Sequence, residues 1–314
     1  MPSTPKIRFS LALPVSFLAV IFFGAKPAFA AACCGGGSGV PGIIVGDEKA
    51  NLGFEISNLY IKTDVSQNSV WRDRSEVDST STLRLQYTQI FNDRFQTGFS
   101  TSVIRRDRGD SSSSGIGDTS FHVGYETLPE WNYSSWRPRA VSYVGLTAPS
   151  GRSIYEAEDL LLLDARGKGF WSARIGTAFT KILGHWNFIS NLEFVRTFSR
   201  SVDTRAFKGI VAPHSSASAV IGAGYSIRDL TISASLLHLY EGEMVLSGTP
   251  SSVTSDSQVS TLTVGASTPI GPENINGDLW FLRADYFDQR LFGEPKNTAL
   301  STGFSVSLRR SYSR

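Results

Sequence analysis

The feature that most constrains this chain is a two-residue alternation of apolar and polar side chains, recurring in segments of about ten residues from Leu52 to the C-terminus. Twelve such segments can be placed: 52–62, 80–90, 94–105, 117–127, 139–148, 169–181, 184–199, 214–227, 230–240, 257–268, 278–288 and 298–310. In 94–105, Phe95, Thr97, Phe99, Thr101 and Val103 share one face, and Gln96, Gly98, Ser100 and Ser102 share the other. The last segment repeats the pattern, with Leu300, Thr302, Phe304, Val306 and Leu308 against Ser301, Gly303, Ser305 and Ser307. Successive strand side chains point to opposite sides, so each segment predicts a strand with one apolar face and one small polar face.

Alternation alone fits two architectures. In a soluble sandwich the apolar face is the interior, whereas in an outer-membrane barrel it meets lipid and the polar face lines the lumen. Connection lengths decide between them. The links near Asn92-Asp93, Leu183-Gly184 and Arg228-Asp229 are very short, while those after the odd-numbered segments are mostly long and polar. Outer-membrane barrels alternate tight periplasmic turns with extended external loops in this way. Two links, 128–138 and 269–277, are longer than the pattern asks. An even strand number and full closure also remove the unpaired edges that a long all-β chain would otherwise expose. Trp131, Tyr133, Trp136, Trp186, Tyr225, Trp280 and Tyr286 fall in a periplasmic link or near strand ends, where interfacial girdles sit. The expected fold is all-β, a closed antiparallel transmembrane β-barrel of about 12 strands.

The first residues predict a secretory signal peptide, with Lys6 and Arg8 before an apolar stretch from Leu11 to Gly24, and Ala28-Phe29-Ala30 as the cleavage pattern. No stretch elsewhere approaches the roughly 18 consecutive apolar residues of a helical span. The expected organisation is a signal peptide at 1–30, a Gly-rich N-terminal segment at 31–51 and an outer-membrane barrel at 52–314, with both ends of the mature chain in the periplasm.

Net charge is +2 with 18% charged residues, which excludes the basic surface of a nucleic-acid binder. Cys33 and Cys34 are adjacent, so no internal disulfide framework exists. A zinc site would need four ligands and no His or other Cys lies near them, so neither metal nor cofactor is expected. Lipid modification of Cys33, which follows Ala31-Ala32, is disfavoured because the Leu usual in lipoprotein signals is missing.

The inward positions name the candidate lumen-lining residues: Glu55, Arg84, Gln86, His122, Glu126, Arg174, Asn191, Glu193, Arg283 and Asp285. Segments eight, nine, ten and twelve offer mainly Ser, Thr and Gly on the same face. With Arg309 included, Arg84, Arg174 and Arg283 are balanced by Glu55, Glu126, Glu193 and Asp285, which argues against charged-ring ion selectivity. These charges either pair as a filling or line a polar pore. In the link 149–168, Leu160, Leu161, Leu162 and Leu163 form a candidate constriction loop, flanked by Glu156, Glu158, Asp159 and Asp164. The alternative is that these leucines extend the neighbouring strands toward lipid.

His214-Ser215-Ser216 and Tyr87-Thr88-Gln89 invite a comparison with outer-membrane lipid hydrolases, but the further catalytic run of that group is absent, so an enzyme is not expected. Three other stretches resemble a family of outer-membrane barrels known as MetA-pathway of phenol degradation proteins. They are Gly115-Ile116-Gly117-Asp118 leading into Phe121-His122-Val123-Gly124-Tyr125, then Val144 to Gly151, and then Gly167-Lys168-Gly169-Phe170-Trp171 with the hairpin through Lys181-Ile182-Leu183-Gly184 to Asn191 and Arg196-Thr197. The resemblance covers roughly 115–200 and implies a transporter-like barrel for small, including aromatic, compounds, with no catalytic residues. The Cys33-Cys34 start and a last strand running to Arg314 depart from the family pattern.

The expected function is passive passage of small solutes, aromatic or apolar ones among them. A non-conducting structural or surface-interaction barrel is the alternative, and a lipid hydrolase a remote one. The expected partners are outer-membrane lipids, an unidentified small solute and the barrel-assembly machinery.

Overall fold

The computed structural model describes residues 42–44, 48–130, 134–159, 161–204, 207–213, 215–249, 251–271 and 278–313. All twelve expected segments are strands. They are β1 (Glu48–Val65), β2 (Trp71–Phe91), β3 (Phe95–Arg108), β5 (Thr119–Leu128), β6 (Arg139–Ala148), β7 (Ser172–Leu183), β8 (Trp186–Thr197), β11 (Ser216–Ile227), β12 (Leu230–Glu241), β15 (Ser257–Ile270), β16 (Leu279–Asp288) and β17 (Thr298–Ser313). Each pairs antiparallel with its neighbours, and the β1–β17 ladder, running from Glu48↔Ser313 to Val65↔Thr298, closes the ring. The barrel begins at Glu48, four residues ahead of the boundary expected at 52. The signal-peptide region, Cys33 and Cys34 lie outside the described residues, as do Trp131 and Tyr133.

Closure follows from the backbone's needs. In lipid every N–H and C=O must be bonded within the protein, and a sealed antiparallel ring satisfies them without an edge. The outer face carries Ile175, Leu192 and Ile221 at 59%, 59% and 62% exposure, together with Phe121, Val144 and Phe304. An apolar belt of that extent is far larger than a soluble surface tolerates, so it fits hydrocarbon. No helix among the described residues is long and apolar enough to cross a membrane.

The hairpins at one end are tight. Asn92 and Asp93 both take positive φ (49° and 60°), as do Gly184 (59°) and Arg228 (54°), which suits two-residue turns whose twist matches the strands they join. This short-turn end is the one that the sequence expectation assigns to the periplasm. Trp186 and Tyr225 meet there with ring centroids 4.9 Å apart, and Trp280 lies 5.6 Å from the Arg310 guanidinium.

The outer connections are more than loops. β4 (Ser111–Ile116) folds back on β3, while β9 (Arg200–Asp203), β10 (Lys208–Pro213), β13 (Met244–Thr249) and β14 (Ser252–Thr254) form a separate four-stranded sheet. Its apolar side, with Val202, Phe207 and Val211, buries Phe170 from the 149–171 loop, and Tyr155, Met244 and Leu246 pack around them. None of these five short strands was expected. Each sits beyond the membrane, where no lipid face imposes the long alternation that made the other twelve visible.

Candidate functional site: the barrel lumen

The inward face of the strands builds the lumen, and it differs along the axis. In the outer half lies a cavity of about 450 Å³ walled from many sides, with Arg84, Ser102, His122, Arg174, Ser218 and Thr261 among its lining residues. Leu237, Leu239 and Val259 make part of one wall apolar. Gly42 also lines it, so the N-terminal segment reaches into the barrel.

That segment fills the lumen on the periplasmic side. The Ile44 N–H donates to Gln96 Oε1 at 2.8 Å, Gln96 Nε2 donates to the Ile44 carbonyl at 3.2 Å, and the Thr88 hydroxyl donates to the Gly42 carbonyl. Ile43 and Ile44 are both buried, and Ile43 clusters with Val141, Tyr143 and Ala178. Inward apolar residues need a dry partner, and here the chain supplies its own; burying each isoleucine is worth roughly 1.5 to 3 kcal/mol. Gln96, with both a donor and an acceptor in its amide, satisfies both backbone groups of Ile44 at once.

Of the ten candidate lumen residues, Arg84, Gln86, His122, Arg174 and Glu193 line the cavity. The remaining five point inward without lining it. Glu55 pairs with Arg84 at 3.5 Å, Glu126 with Arg139, and Asp285 with Arg283 at 2.6 Å, where Arg283 also reaches Ser233 at 3.2 Å. Asn191 is fully buried. Arg174 stands 3.9 Å from Glu193, and Arg309 pairs with Glu48 at 3.2 Å. The lumen charges are therefore matched locally along the wall.

Tyr143 was not singled out from the sequence, although its parity in 139–148 places it inward. Its hydroxyl donates to Glu193 Oε2 at 2.9 Å, with Asn191 Oδ1 at 3.2 Å, and it passes close over Gly176, where any Cβ would collide with its ring. Gly98 has the same role beneath His122 and Thr88.

Parts of the three stretches that carry the family resemblance, Gly117-Asp118, Ser150-Gly151 and Gly167-Lys168, meet at the outer rim. Asp118 accepts from the Gly151 N–H (3.1 Å) and the Lys168 N–H (2.7 Å), while Ser150 Oγ donates to the Gly117 carbonyl at 2.8 Å. The Arg166 and Gly167 N–H groups both donate to the Arg152 carbonyl. This staple pins both ends of the 149–171 loop to the top of β5, and Lys168 extends it by pairing with Glu241 of β12 at the cavity wall. Burial of Asp118 raises its pKa against the opposing pull of the two N–H groups.

The leucine run lies elsewhere. Leu161 and Leu162 are about half exposed, Leu163 is buried, and Leu160 is outside the described residues. None of the three described leucines lines the cavity. The apolar groups of this loop that pack against the outer sheet are Tyr155 and Phe170. The turn explains the split: Leu162 takes a positive φ of 56°, and Arg152 and the Glu158 N–H both bond to the Asp164 carboxylate, which draws the chain back over the rim. Of the hydrolase-like residues, Thr88 is spent on the Gly42 carbonyl, Tyr87 donates to Gln89 at 2.9 Å, and His214 is outside the described residues.

Neither a family model nor a curated protein matches the chain in sequence, so the resemblance to the phenol-degradation family gains no support from either comparison. Solved structures do match. An outer membrane channel from Pseudomonas putida F1 superposes with a TM-score of 0.62 at 15% identity, covering 86% of this chain and 98% of that one. The NanC porin (TM-score 0.43, 9% identity, 83% of this chain and 100% of that one) and a deletion mutant of the TodX monoaromatic hydrocarbon channel (0.41, 9%, 86% and 91%) overlap too loosely to bear an inference. At this level of identity the likeness establishes the fold: a twelve-stranded barrel of the outer-membrane type.

Proposed function

We propose that the chain is an outer-membrane conduit for the passive passage of small solutes. The observation that carries this reading is the 450 Å³ cavity in the outer half of the lumen, walled by polar side chains and ringed by locally paired charges. Such a wall offers a solute hydrogen bonds without a fixed net charge, the arrangement that lets it enter and leave. Leu237, Leu239 and Val259 give the same cavity an apolar side, which favours solutes with an apolar or aromatic body. The barrel would be exported by its signal peptide, inserted by the assembly machinery and solvated by outer-membrane lipid. The reading assigns no catalytic residue.

A second reading, a structural barrel that does not conduct, draws support from Ile43 and Ile44, which occupy the lumen beneath the cavity. Planar-bilayer recording of the purified mature chain separates the two. Discrete conductance steps are expected for the conduit, and insertion without current for the structural barrel.

A further inference from the structure

At the outer rim two guanidinium groups, those of Arg106 and Arg166, stand close enough to repel one another. Arg106 stands on the inward side of β3, in register between Thr80 of β2 and Ser113 of β4. Arg166 arrives from the stapled 149–171 loop and lays its guanidinium over Gly115, where a Cβ would fall 2.5 Å from its Nε. Its Nη1 donates to Ser113 Oγ and to the Ser114 carbonyl, 2.8 Å each. Directly paired residues project on the same side of a sheet, so the hydroxyl that holds Arg166 is also the cross-strand neighbour of Arg106.

Arg106 feels the Asp78 carboxylate through space, but that carboxylate is bonded to other arginines. Asp78, the acid next along β2, lies opposite Arg108, and its oxygens already accept from Arg74 and Arg108. The Nε of both Arg106 and Arg166 is buried without a hydrogen-bond partner. Leaving such donors unpaired is costly, and placing two cations side by side adds to the cost. The geometry is nonetheless enforced, because the Arg166 and Gly167 N–H groups are tied to the Arg152 carbonyl and the next residue to Asp118.

We infer that Arg106 and Arg166 form an entry site for a small organic carboxylate, an inference that rests on the conduit reading and supplies its solute class. A carboxylate presents two coplanar oxygens that match the guanidinium fork, and its charge would offset the repulsion between the two cations. Further in along β3, about 13 Å from Arg106 at strand spacing, Ser102 marks the cavity wall. There Arg84 and Arg174, each loosely paired with its acid, offer guanidinium hydrogen bonds, and the Leu237–Leu239 side receives an apolar body.

The test is binding of benzoate, with benzyl alcohol as its neutral counterpart, to the detergent-solubilised mature chain by calorimetry. Heat-dependent gel mobility reports that each variant is folded. Benzoate should bind, more weakly as salt rises, and benzyl alcohol should not. Arg106→Gln and Arg166→Gln should each weaken benzoate about tenfold or more, and Ser113→Ala, which only removes the Arg166 tether, should weaken it less. Arg105→Gln, on the opposite face of β3, should leave it unchanged. Equal benzoate affinity in the parent and both glutamine variants, or no benzoate binding by folded parent, overturns the site. Phosphate competing as well as benzoate overturns its assignment to carboxylates. Binding does not need current, so a silent barrel that still binds benzoate through both arginines refutes the conduit alone.

Discussion

The two halves of the lumen are built from the same kind of strand yet reach opposite states. The outer half keeps an open, polar cavity whose charges pair along the wall. The periplasmic half is apolar: Val141, Ala178, Ile189 and Val220 are buried, Ile43 packs against Val141 and Ala178, and Ile44 is buried with it. Strand parity fixes only which residues point inward. Whether that interior is wet depends on their size and polarity, and on whether a free segment of chain is available to cover the apolar ones.

The sharpest way to break the contrast is to remove its filling. Deleting 42–44 should leave the ring intact, since every strand keeps its partners, and should raise single-channel conductance several-fold. Gln96→Ala, which frees both backbone groups of Ile44, should give an intermediate rise. Unchanged conductance in the deletion would place the resistance elsewhere.

The next effect separates inside from outside. Val123→Arg introduces a charge on the lipid face near mid-strand and should destabilise insertion by about 2 to 4 kcal/mol. Ser218→Arg, which projects into the cavity, should cost far less. Folding into lipid vesicles under a urea gradient measures both, and equal losses would contradict the assignment of faces.

A smaller effect is expected at the rim. Burial alone would raise the Glu156 pKa, but the bonds from Arg200 and from Ser153 outweigh it and hold it below the ordinary carboxylate value. A carboxylate with a depressed folded pKa contributes stability that is present above its unfolded pKa and lost as pH falls through the folded one. Asp164, bonded by Arg152 and the Glu158 N–H, is lowered in the same way despite its burial. Acidification below the carboxylate range should therefore expose the 149–171 loop to protease before the barrel itself is affected. The smallest effect is predicted for Leu161→Ser and Leu162→Ser: these leucines do not line the cavity, so conductance should stay at the parent value.

What was legible in the sequence follows from what each part answers to. The twelve long strands face two solvents at once, and that duty writes a two-residue period into them from end to end. Segment 42–44 answers to the barrel interior alone, so the only trace it left was an apolar pair, Ile43-Ile44, in a Gly-rich lead. Inward parity identified Arg84, His122, Arg174 and Glu193 as facing the lumen, but not which charges would meet, since Glu48 takes its partner Arg309 across the ring-closing ladder and Arg139 meets Glu126 beside a bulge in the β5–β6 register. Asp118 stood in a recognisable Gly-rich stretch, yet its bonds reach residues more than thirty positions away.

The most direct test of the conduit is one recording: the purified mature chain in a planar bilayer, beside the same chain lacking 42–44. Small, discrete conductance steps are expected for the parent and larger ones for the deletion. Correctly folded barrels of both kinds that insert and pass no current would contradict the conduit.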